Sequence, residues 1–447
     1  MQSATDLDAV IVGLGESGYA SACHLAAAGR RVAVVDSRDV PPRAADLERR
    51  HPALAVHCGS LDEGLIARAA EVIVSPGIDP RQPAIAAARR RGQPVIGEIE
   101  LFARAVEAPV MAVTGSNGKS TVTRMLAAMA EALGINAAAG GNLGPAALEL
   151  LERRADAELF ILELSSFQLE TTRSLQPQVA AVLNLSPDHL DRYADMADYA
   201  AAKARILDGA GEAVLNADDA WVRAMAEHTM TVSWFGAERT AAGRWWLDGQ
   251  GPATWLMQDQ TPVMATRELA VSGRHNALNA LAALAMGAAA GWPLAPMVEG
   301  LRAFRPLAHR GESLGVHRGR RWINDSKATN VAAAAAAVAG MDEPVVLIAG
   351  GDAKGQSFDA LRAALAGRGR AAVVYGRDAD ALAGALGSGL EVVRVNALQA
   401  AVAEALRLSR PGDAIVLAPA CASLDQYRDY RARGEHFRAL VEALADG

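Results

Sequence analysis

Cysteine is scarce in this sequence, and neither an excess of positive charge nor a long apolar run is present. The 447 residues include three cysteines, Cys23, Cys58 and Cys421. Their odd number gives no disulfide framework and their spacing matches no metal-binding pattern such as C-x-x-C, so a reducing compartment is expected. The chain has 44 basic and 51 acidic residues and a formal net charge of −7. Because the basic residues are scattered, general binding to nucleic acid is not expected.

A membrane-spanning segment is also not expected, because no apolar run approaches the roughly 20 residues that cross a bilayer. Asp6 and Asp8 interrupt the N-terminal stretch where a signal peptide would be apolar. These absences predict a cytoplasmic protein that does not insert into membranes. A chain of 447 residues is expected to form about two to four domains, each with its own core.

The most informative stretch follows a short apolar run at residues 109–113. It is Thr114-Gly115-Ser116-Asn117-Gly118-Lys119-Ser120-Thr121, and a helical pattern continues from it to Gly134. Backbone N–H groups and the N-terminus of the helix would converge on one point, which is typical of a phosphate-binding loop. Lys119 is expected to reach the outer phosphates of a nucleoside triphosphate, and the hydroxyl of Ser120 or Thr121 is expected to face Mg²⁺.

This loop departs from the usual pattern G-x-x-x-x-G-K-[ST], because Val113 stands where the first glycine is usual. The turn uses Gly115 and Gly118 instead. The structural alternative is a glycine-rich strand-to-helix turn whose lysine is solvated.

The N-terminal segment carries a second glycine loop, Gly13-Leu14-Gly15-Glu16-Ser17-Gly18, between an apolar strand and a helix. The next predicted strand ends in Asp36, which completes a dinucleotide-binding fingerprint. The same turn accepts any pyrophosphate, and Asp36, Ser37 and Arg38 could serve any sugar or base. NAD, FAD, a nucleoside diphosphate sugar and a purely structural turn therefore all remain open. A further glycine loop, residues 75–78, follows another apolar strand.

Two side chains of the central segment follow predicted strands. Glu163 ends the strand at residues 159–163, and an acid beside a phosphate loop commonly holds Mg²⁺. His189 follows the strand at residues 179–183 and is expected at the same edge, although a single histidine can equally be a packed or surface residue. Lys203 lies on a predicted helix and by itself suggests a solvated face. Further along, residues 234–266 suggest a small β excursion.

The stretch at residues 272–280 opens a long helix rich in alanine and leucine. Its His275 and Asn276 could recognise a base or cap the helix.

A third alternation of strands and helices begins after Pro306, with strands at residues 322–324, 345–349, 371–375 and 414–417. Polar clusters follow three of these strands. If the strands are neighbours, these clusters bring together Lys327, Thr329, Lys354 and Ser423. Two ammonium groups with hydroxyls suit a small dicarboxylate, whereas either lysine alone could be a surface charge.

The fold class predicted from these patterns is α/β with three domains. We expect a Rossmann-like domain at residues 1–103, a P-loop ATPase-like domain at residues 104–306 and a Rossmann-like domain at residues 307–447. The residues alone indicate an ATP-using, Mg²⁺-dependent enzyme and leave its reaction open.

Beyond this, the chain resembles the Mur ligase family of peptidoglycan synthesis over nearly its whole length. The motifs that carry the resemblance are residues 13–18, 75–78 and 114–121, Leu162-Glu163-Leu164-Ser165-Ser166-Phe167-Gln168-Leu169-Glu170, Asp188-His189-Leu190-Asp191-Arg192-Tyr193, Asn324-Asp325-Ser326-Lys327-Ala328-Thr329-Asn330 and Pro419-Ala420-Cys421-Ala422-Ser423-Leu424-Asp425-Gln426. The middle motifs belong to the family at large. The last two, with the stretch around Glu163, are similar to the family member that adds D-glutamate.

The resemblance implies a reaction and its partners. UDP-N-acetylmuramoyl-L-alanine would bind to the first domain through its uridine diphosphate, which argues against NAD. Its terminal carboxylate would take the γ-phosphoryl group of ATP, and the amine of D-glutamate would attack the acyl phosphate through a tetrahedral intermediate. Two Mg²⁺ ions are implied, and a monomer is expected.

The resemblance also implies roles for individual residues. The residues matched to ATP are Gly115, Ser116, Asn117, Gly118, Lys119, Ser120, Thr121, Asn276, Arg310 and Asp325. The residues matched to the UDP-linked substrate are Gly15, Glu16, Ser17, Asp36, Ser37, Arg38, Gly77, Asn142 and His189. The residues matched to D-glutamate are Thr329, Lys354, Ser423, Leu424 and Tyr430, with Lys327 near the reacting groups.

The metal ligands implied by the resemblance are Ser120 and Glu163 for one ion, and His189 with Lys203 for the second. Lys203 matches a lysine that this family carbamylates, which turns an ammonium into an anion. Tyr430 and Tyr427 stand where phenylalanine is frequent and Ala418 where serine is frequent, so the packing around D-glutamate differs in detail.

Alternatives from other classes are a nicotinamide-dependent dehydrogenase and a non-catalytic nucleotide-binding regulator. The first leaves Lys119, Glu163 and the C-terminal lysines without a role, and the second needs neither Glu163 nor His189. Within the family, the alternatives are a paralogue that adds another amino acid and folylpolyglutamate synthase.

Overall fold

The structure is a computed structural model that describes residues 6–189, 192–229, 231–240, 243–249, 253–271, 273–306, 308–341, 343–387 and 389–444. Its strands form three separate sheets in chain order. The predicted α/β fold class is therefore confirmed.

The first sheet has five parallel strands in the order β3-β2-β1-β4-β5. These strands are β1 (Leu7–Val12), β2 (Val32–Asp36), β3 (Ala55–Cys58), β4 (Ala69–Val74) and β5 (Val95–Ile96). The helices between and after them are α1 (Glu16–Ala27), α2 (Ala44–Arg50), α3 (Glu63–Ala67), α4 (Pro83–Arg90) and α5 (Glu98–Ala105). Continuous apolar runs such as residues 9–12 form its centre because helices cover both faces of a parallel sheet.

The second sheet has nine strands in the order β14-β13-β12-β11-β10-β9-β6-β8-β7. They are β6 (Val110–Thr114), β7 (Ala137–Gly141), β8 (Leu159–Glu163), β9 (Val179–Val182), β10 (Glu212–Asn216), β11 (Val232–Phe235), β12 (Gly243–Asp248), β13 (Trp255–Gln258) and β14 (Thr261–Ala265). The pairs β12–β13 and β13–β14 are antiparallel. They form the β excursion that the sequence predicts between residues 234 and 266.

Helices cover the second sheet. They are α6 (Lys119–Ala132), α7 (Ala147–Arg153), α8 (Ser166–Leu169), α9 (Met196–Ala204), α10 (Ala220–Ala224), α11 (Arg274–Ala289) and α12 (Leu294–Ala303), with short 3₁₀ turns at Arg205–Leu207, Met225–His228 and Thr266–Glu268. Helix α5 lies between the first two sheets, and one hydrophobic core is continuous from β1 through α5 to β8.

The third sheet has six strands in the order β15-β16-β20-β17-β18-β19. They are β15 (Glu312–His317), β16 (Arg320–Asn324), β17 (Val345–Gly350), β18 (Gly369–Tyr375), β19 (Glu391–Arg394) and β20 (Ala414–Leu417). The helices are α13 (Val331–Ala339), α14 (Asp359–Leu365), α15 (Ala379–Leu386), α16 (Leu398–Leu408) and α17 (Tyr430–Glu442). Because β20 lies between β16 and β17, the polar clusters that follow these three strands are neighbours, as the sequence argument required.

The two outer strands of the third sheet, β15 and β19, were not predicted. Both are edge strands with partly exposed side chains, so they lack the continuous apolar run that marks a buried strand. Among the helices of the described ranges, none is both long and apolar enough to cross a membrane.

Candidate active site

The phosphate loop joins β6 to α6, and the side chain of Asn184 holds its backbone through hydrogen bonds. Gly118 adopts a left-handed φ of +85°, which favours glycine, directly before α6 begins at Lys119. The amide side chain of Asn184 accepts a hydrogen bond from the N–H of Asn117 (2.8 Å) and donates one to its carbonyl (3.0 Å). The loop is thereby fixed with the N-terminus of α6 at its centre, which suits an anionic phosphate.

Lys119 lies over this loop. Its Nζ donates hydrogen bonds to the carbonyls of Gly115 (2.8 Å) and Ser116 (2.9 Å). Burial lowers the pKa of Lys119, and the nearby positive charge of Arg310 lowers it further, while the Glu163 carboxylate opposes both. The ammonium is thus close to both the loop and an acid.

Glu163, at the end of β8, is buried, and both of its carboxylate oxygens accept hydrogen bonds. One carboxylate oxygen accepts a hydrogen bond from the Ser120 hydroxyl, and the other accepts one from Asn142 Nδ2 at 2.6 Å. Burial raises the pKa of Glu163, but the charges of Lys119 and Arg310 outweigh it and the net shift is downward. Glu163 is therefore a carboxylate at neutral pH.

The residues around Glu163 fit a magnesium ion. A hydroxyl and a carboxylate are the hard oxygen ligands that Mg²⁺ takes, and this ion usually keeps several waters and binds substrate phosphates. Over the described parts of the chain, no group of three or more His, Cys, Asp or Glu side chains could hold a metal ion. The pair Ser120 and Glu163 suits an ion whose other ligands come from water and phosphate.

Lys203 faces inward, so the interpretation of this residue as part of a solvated face is wrong. It is only 2% exposed, and its Nζ donates a hydrogen bond to the Gly115 carbonyl at 2.9 Å. Tyr199 lies one turn earlier on the same face of α9, and its ring centre is 4.8 Å from that Nζ. Burial, with a further contribution from the charge of Lys119, lowers the pKa of Lys203 well below its usual value. Burial therefore disfavours the charged form of this amine.

His189 follows β9 on a loop with a left-handed φ of +55°. Its ring centre lies 4.6 Å from that of Phe167 and 6.4 Å from that of Tyr199, and its Nε2 is 3.8 Å from Asp188 Oδ2. The two residues that follow it in the sequence motif, Leu190 and Asp191, lie outside the described residues.

Two residues of the C-terminal α/β unit, Arg310 before β15 and Asn330 after β16, complete this site. Arg310 Nη2 donates a hydrogen bond to the Ser120 hydroxyl at 2.7 Å. Asn330 Nδ2 lies 3.2 Å from Asn117 Oδ1 and 3.3 Å from Asp188 Oδ2. We did not predict a site role for Asn330, although it ends a motif that the sequence singled out; it also caps α13.

A cavity of about 430 Å³, here called the central cavity, lies between these groups. Predicted residues from all three parts of the chain line it, namely Gly77, Ser116, Asn117, Gly118, Lys119, Ser120, Asn142, Glu163, His189, Lys203, Arg310, Lys327, Thr329 and Lys354. Its basic side chains outnumber its two acids, Glu163 and Asp188. The cavity therefore suits a substrate with several negative charges.

The C-terminal part of the central cavity contains Lys327, Thr329 and Lys354. Lys327 Nζ lies 4.3 Å above the centre of the Tyr430 ring. Burial, together with the charges of Arg310 and Lys119, lowers the pKa of Lys327 to about 8. The three other residues predicted here are not lining residues: Ser423 is buried, Leu424 is 69% exposed, and Tyr430 lies behind Lys327 as its aromatic neighbour.

A second cavity of about 220 Å³, the lateral cavity, lies on the other side of the phosphate loop. Gly118, Thr121, Asn276, Arg310 and Asp325, all predicted to contact ATP, line it. Burial raises the pKa of Asp325 to about 6. His275, which we suggested with Asn276 for base recognition, also lines it, as do Phe235 and Asn279, which we did not assign as site residues.

The helix-cap alternative for His275 and Asn276 is wrong, because both lie inside the first turn of α11 and its cap residue, Gly273, forms no side-chain cap. Ser272, the first residue of that motif, lies outside the described residues.

A third cavity of about 680 Å³, the N-terminal cavity, lies over the glycine loop of the first sheet. The predicted residues that line it are Gly15, Glu16, Ser17, Ser37, Arg38, Gly77 and Asn142. Asp36 lies beneath it, fully buried, and its carboxylate accepts hydrogen bonds from the Leu14 N–H (2.7 Å) and from Arg38 Nη2 (2.6 Å). Gly77 lines this cavity and the central cavity, so the two are adjacent.

Gly18 explains why the glycine loop needs its last glycine. A Cβ atom at this position would collide with the carbonyl oxygen of Gly13. The close approach of helix α1 to the loop therefore excludes any larger residue.

Three α/β units around a phosphate loop, with an acid and a set of cations between them, define a nucleotide-dependent ligase of three parts. Three families match the chain: "Mur ligase MurD-like, N-terminal domain" at residues 7–97, "Mur ligase middle domain" at residues 113–287, and "Mur ligase, glutamate ligase domain" at residues 309–421. The chain belongs to the Mur ligase family. The dehydrogenase alternative is thereby set aside.

Curated relatives match over nearly the whole length. The UDP-N-acetylmuramoylalanine--D-glutamate ligase of Nitrosococcus oceani is 48% identical over 97% of this chain and 96% of its own. The protein of the same name from Pseudomonas aeruginosa is 45% identical, with 99% of each chain covered.

Solved structures share the fold at low sequence identity. The UDP-N-acetylmuramate-alanine ligase MurC from Thermotoga maritima has a TM-score of 0.61 and 20% identity, covering 98% of this chain and 99% of its own. MurF from Acinetobacter baumannii has a TM-score of 0.61 and 20% identity, covering 100% of this chain and 92% of its own.

Proposed function

We propose that this protein joins D-glutamate to UDP-N-acetylmuramoyl-L-alanine at the expense of ATP, in the synthesis of peptidoglycan precursors. The observation that carries this proposal is the central cavity, where a phosphate loop, the carboxylate of Glu163 and the C-terminal cations Lys327 and Lys354 face one space. The names and coverage of the curated relatives support the choice of substrates.

Each cavity takes one part of the substrates in this proposal. The N-terminal cavity takes the uridine diphosphate, with Ser37 and Arg38 beside the base and residues 13–18 beside the phosphates. The lateral cavity takes the adenosine of ATP, where amide side chains and Asp325 can bind base and ribose hydroxyls. The phosphates, the carboxylate of the peptide and D-glutamate meet in the central cavity.

The reaction then has two steps. A carboxylate oxygen of the UDP-linked substrate bonds to the γ-phosphorus of ATP, the bond to the bridging oxygen breaks and ADP leaves. The neutral amine of D-glutamate next attacks the acyl carbon, a tetrahedral intermediate forms and inorganic phosphate leaves as the amine loses its proton. Negative charge on oxygen builds in both steps, and Lys119, Arg310 and Lys327 are placed to stabilise it.

Ser120 and Glu163 would hold one Mg²⁺ ion, and His189 with Lys203 would serve a second. When bound, such ions neutralise phosphate charge and polarise the transferred group.

Lys203 as a free amine is a poor ligand for Mg²⁺. Because burial disfavours the charged form of this amine, its neutral form can add to CO₂, releasing a proton and leaving a carbamate anion. A carbamate signal after labelling with ¹³C-bicarbonate, absent in Lys203→Ala, would be the expected NMR result.

We assign residues 1–103 to the domain for the UDP-linked substrate, 104–306 to the ATP-binding domain and 307–447 to the domain for D-glutamate. We further propose a monomer that works in the cytoplasm.

Phosphate release from ATP tests the function. The assay contains Mg²⁺, UDP-N-acetylmuramoyl-L-alanine and one amino acid from the set D-glutamate, L-glutamate, L-alanine, L-lysine and meso-diaminopimelate. We expect release with D-glutamate alone. Release with a different amino acid would keep the family and overturn the assignment of the C-terminal pocket, and no release with any of them would contradict the proposed reaction.

A further inference from the structure

Arg431 comes from the C-terminal part of the chain but lines the N-terminal cavity. It is the second residue of α17, which packs on the third sheet. The other lining residues belong to the N-terminal and the central α/β units. Arg431 is exposed and so can reach a ligand without first losing a buried contact.

Arg431 differs from the other charged residues of this cavity, because each of those forms an ion pair. The lining acids are each paired, Glu16 with Arg43 at 2.5 Å and Glu149 with Arg153 at 2.5 Å. The other lining cation, Arg38, is held by the buried carboxylate of Asp36. In the described part of the chain, no Asp or Glu oxygen forms an ion pair within 4.0 Å of Arg431.

The contacts of Arg431 are instead with its neighbour Tyr430. Its Nε lies 3.4 Å from the phenolic oxygen, and its guanidinium carbon lies 5.6 Å from the ring centre. The same ring lies 4.3 Å from Lys327 Nζ in the central cavity. One aromatic side chain thus lies beside a cation of each cavity and orients Arg431 without neutralising it.

The glycine loop opposite Arg431 offers backbone N–H groups but no cationic side chain between Gly13 and Gly18. A diphosphate bound there would keep most of its charge. A guanidinium is well suited to bind it, because its planar donors match two phosphate oxygens.

We propose that Arg431 is a further substrate-binding residue, which binds the diphosphate of the nucleotide-linked substrate from the C-terminal domain. This inference rests on the proposed function, because it assumes that a nucleoside diphosphate occupies the N-terminal cavity. It makes that substrate a ligand of all three domains, so part of its binding energy is available to hold the C-terminal domain over the reacting groups.

The test compares Arg431→Ala with Arg428→Ala. Arg428 lies three residues earlier, has an 85% exposed side chain and lines none of the three cavities. Both variants remove one positive charge from the same segment. The measurements are the KM values for the UDP-linked substrate, ATP and D-glutamate, and the calorimetric affinities for UDP and uridine.

We expect Arg431→Ala to raise the KM for the UDP-linked substrate about tenfold, the usual effect of one charge-assisted hydrogen bond at an exposed site. The affinity for UDP should fall by a similar factor while that for uridine is unchanged. The KM values for ATP and D-glutamate should stay within about twofold, and Arg428→Ala should match the wild type. Arg431→Lys should recover part of the loss.

An equal KM for the UDP-linked substrate in the two alanine variants would overturn the inference. A rise confined to D-glutamate would also overturn it, since Arg431 would then act on the C-terminal pocket alone. Failure of the proposed function is distinguishable, because the wild-type protein itself would then release no phosphate with D-glutamate.

Discussion

At the scale of single residues, the central cavity is lined by three lysines whose charged forms are disfavoured by burial. Lys119, Lys203 and Lys327 are all partly or fully buried, and burial is the first cause of the lowered pKa of each. The charge of Lys119 lowers the pKa of both of the others. The charged form is most disfavoured at Lys203, which is the most buried of the three.

Lys327 gives the cavity a pH dependence. Because its pKa is lowered to about 8, its ammonium is present below that pH and is lost as pH rises through it. If this charge stabilises the reacting oxygens, kcat/KM for the UDP-linked substrate should fall about tenfold per pH unit above pH 8, measured at saturating D-glutamate and ATP.

The matched variant for this prediction is Lys327→Arg, whose guanidinium stays charged throughout that range. Its overall rate should be lower, because the two side chains differ in shape, but the alkaline decline should move upward by more than one pH unit. An alkaline limb at the same pH in both proteins would assign it to another group.

Glu163 gives a second prediction at this scale. Glu163→Gln keeps the hydrogen-bonding shape but removes the charge that an oxygen-bound Mg²⁺ needs. We expect kcat to fall by roughly 10²–10³ and the Mg²⁺ concentration for half-maximal activity to rise, since one ligand charge is lost. A Mg²⁺ titration of phosphate release measures both.

Glu131→Gln is the control, because Glu131 is an exposed residue of α6 and its loss changes the net charge equally. An unchanged Mg²⁺ requirement in Glu163→Gln would remove Glu163 from the metal site.

At the scale of elements, the central parallel strands that carry the glycine turns, such as β1, β6, β8 and β17, were predictable from sequence, whereas the edge strands β3, β5 and β19 were not. Buried parallel strands appear as continuous apolar runs, and functional side chains follow them. Glu163 and Lys327 were found in this way. The direction of Lys203 was not, because three alanines separate it from Tyr199 and give α9 no apolar stripe to orient it. Arg431 was missed because it lies on α17 of the C-terminal unit but lines the N-terminal cavity, and the sequence does not show that the two come together.

Helix α7 shows how one element fixes another. Its own cap residue, Ala146, has no side chain to bond the first N–H groups, and Glu98 of α5 accepts a hydrogen bond from the Leu148 N–H at 2.6 Å instead. The loop just before α7, residues 141–146, lines the N-terminal cavity. Glu98 therefore holds a substrate-binding loop through the helix that follows it.

Burial raises the pKa of Glu98 from 4.5 to about 7, so this carboxyl contributes stability that is complete below about pH 4.5 and is lost as pH rises through 7. Glu98→Gln cannot ionise. We expect the unfolding free energy of the wild type, relative to that of the variant, to fall by on the order of 2–3 kcal/mol between pH 5 and pH 8. Thermal midpoints at the two pH values measure this as several degrees.

Glu107→Gln, in the exposed segment after α5, should show no such pH-dependent difference from the wild type. A constant difference between Glu98→Gln and the wild type at both pH values would mean that Glu98 does not ionise in this range.

At the scale of the whole molecule, polar side chains join the three parts around the site, in addition to the apolar core that the first two parts share. Arg310 and Asn330 reach from the third sheet to the phosphate loop. Arg192, which follows β9, reaches the first sheet: its guanidinium donates hydrogen bonds to the carbonyls of Pro76 (3.1 Å) and Ile78 (3.3 Å). These contacts involve residues that line the central and the N-terminal cavities, so they join the three parts at the site itself.

Arg192 should therefore act on substrate binding at a distance. It pairs with Glu170 at 2.6 Å, lies 4.2 Å above the Phe167 ring and is 10% exposed. Arg192→Ala would free the loop at residues 75–78, which lines both the N-terminal and the central cavity, and leave two carbonyls and a carboxylate without this donor. We expect the KM for the UDP-linked substrate to rise about tenfold or more, with the KM for ATP nearly unchanged.

The control is Arg81→Ala, which removes an exposed arginine close to the same loop. Among the ion pairs of the described residues, Arg81 pairs only with Asp79, at 2.7 Å. This variant should leave both KM values within about twofold of the wild type. Equal KM values in the two variants would show that the first sheet is held against the second by its shared apolar core alone.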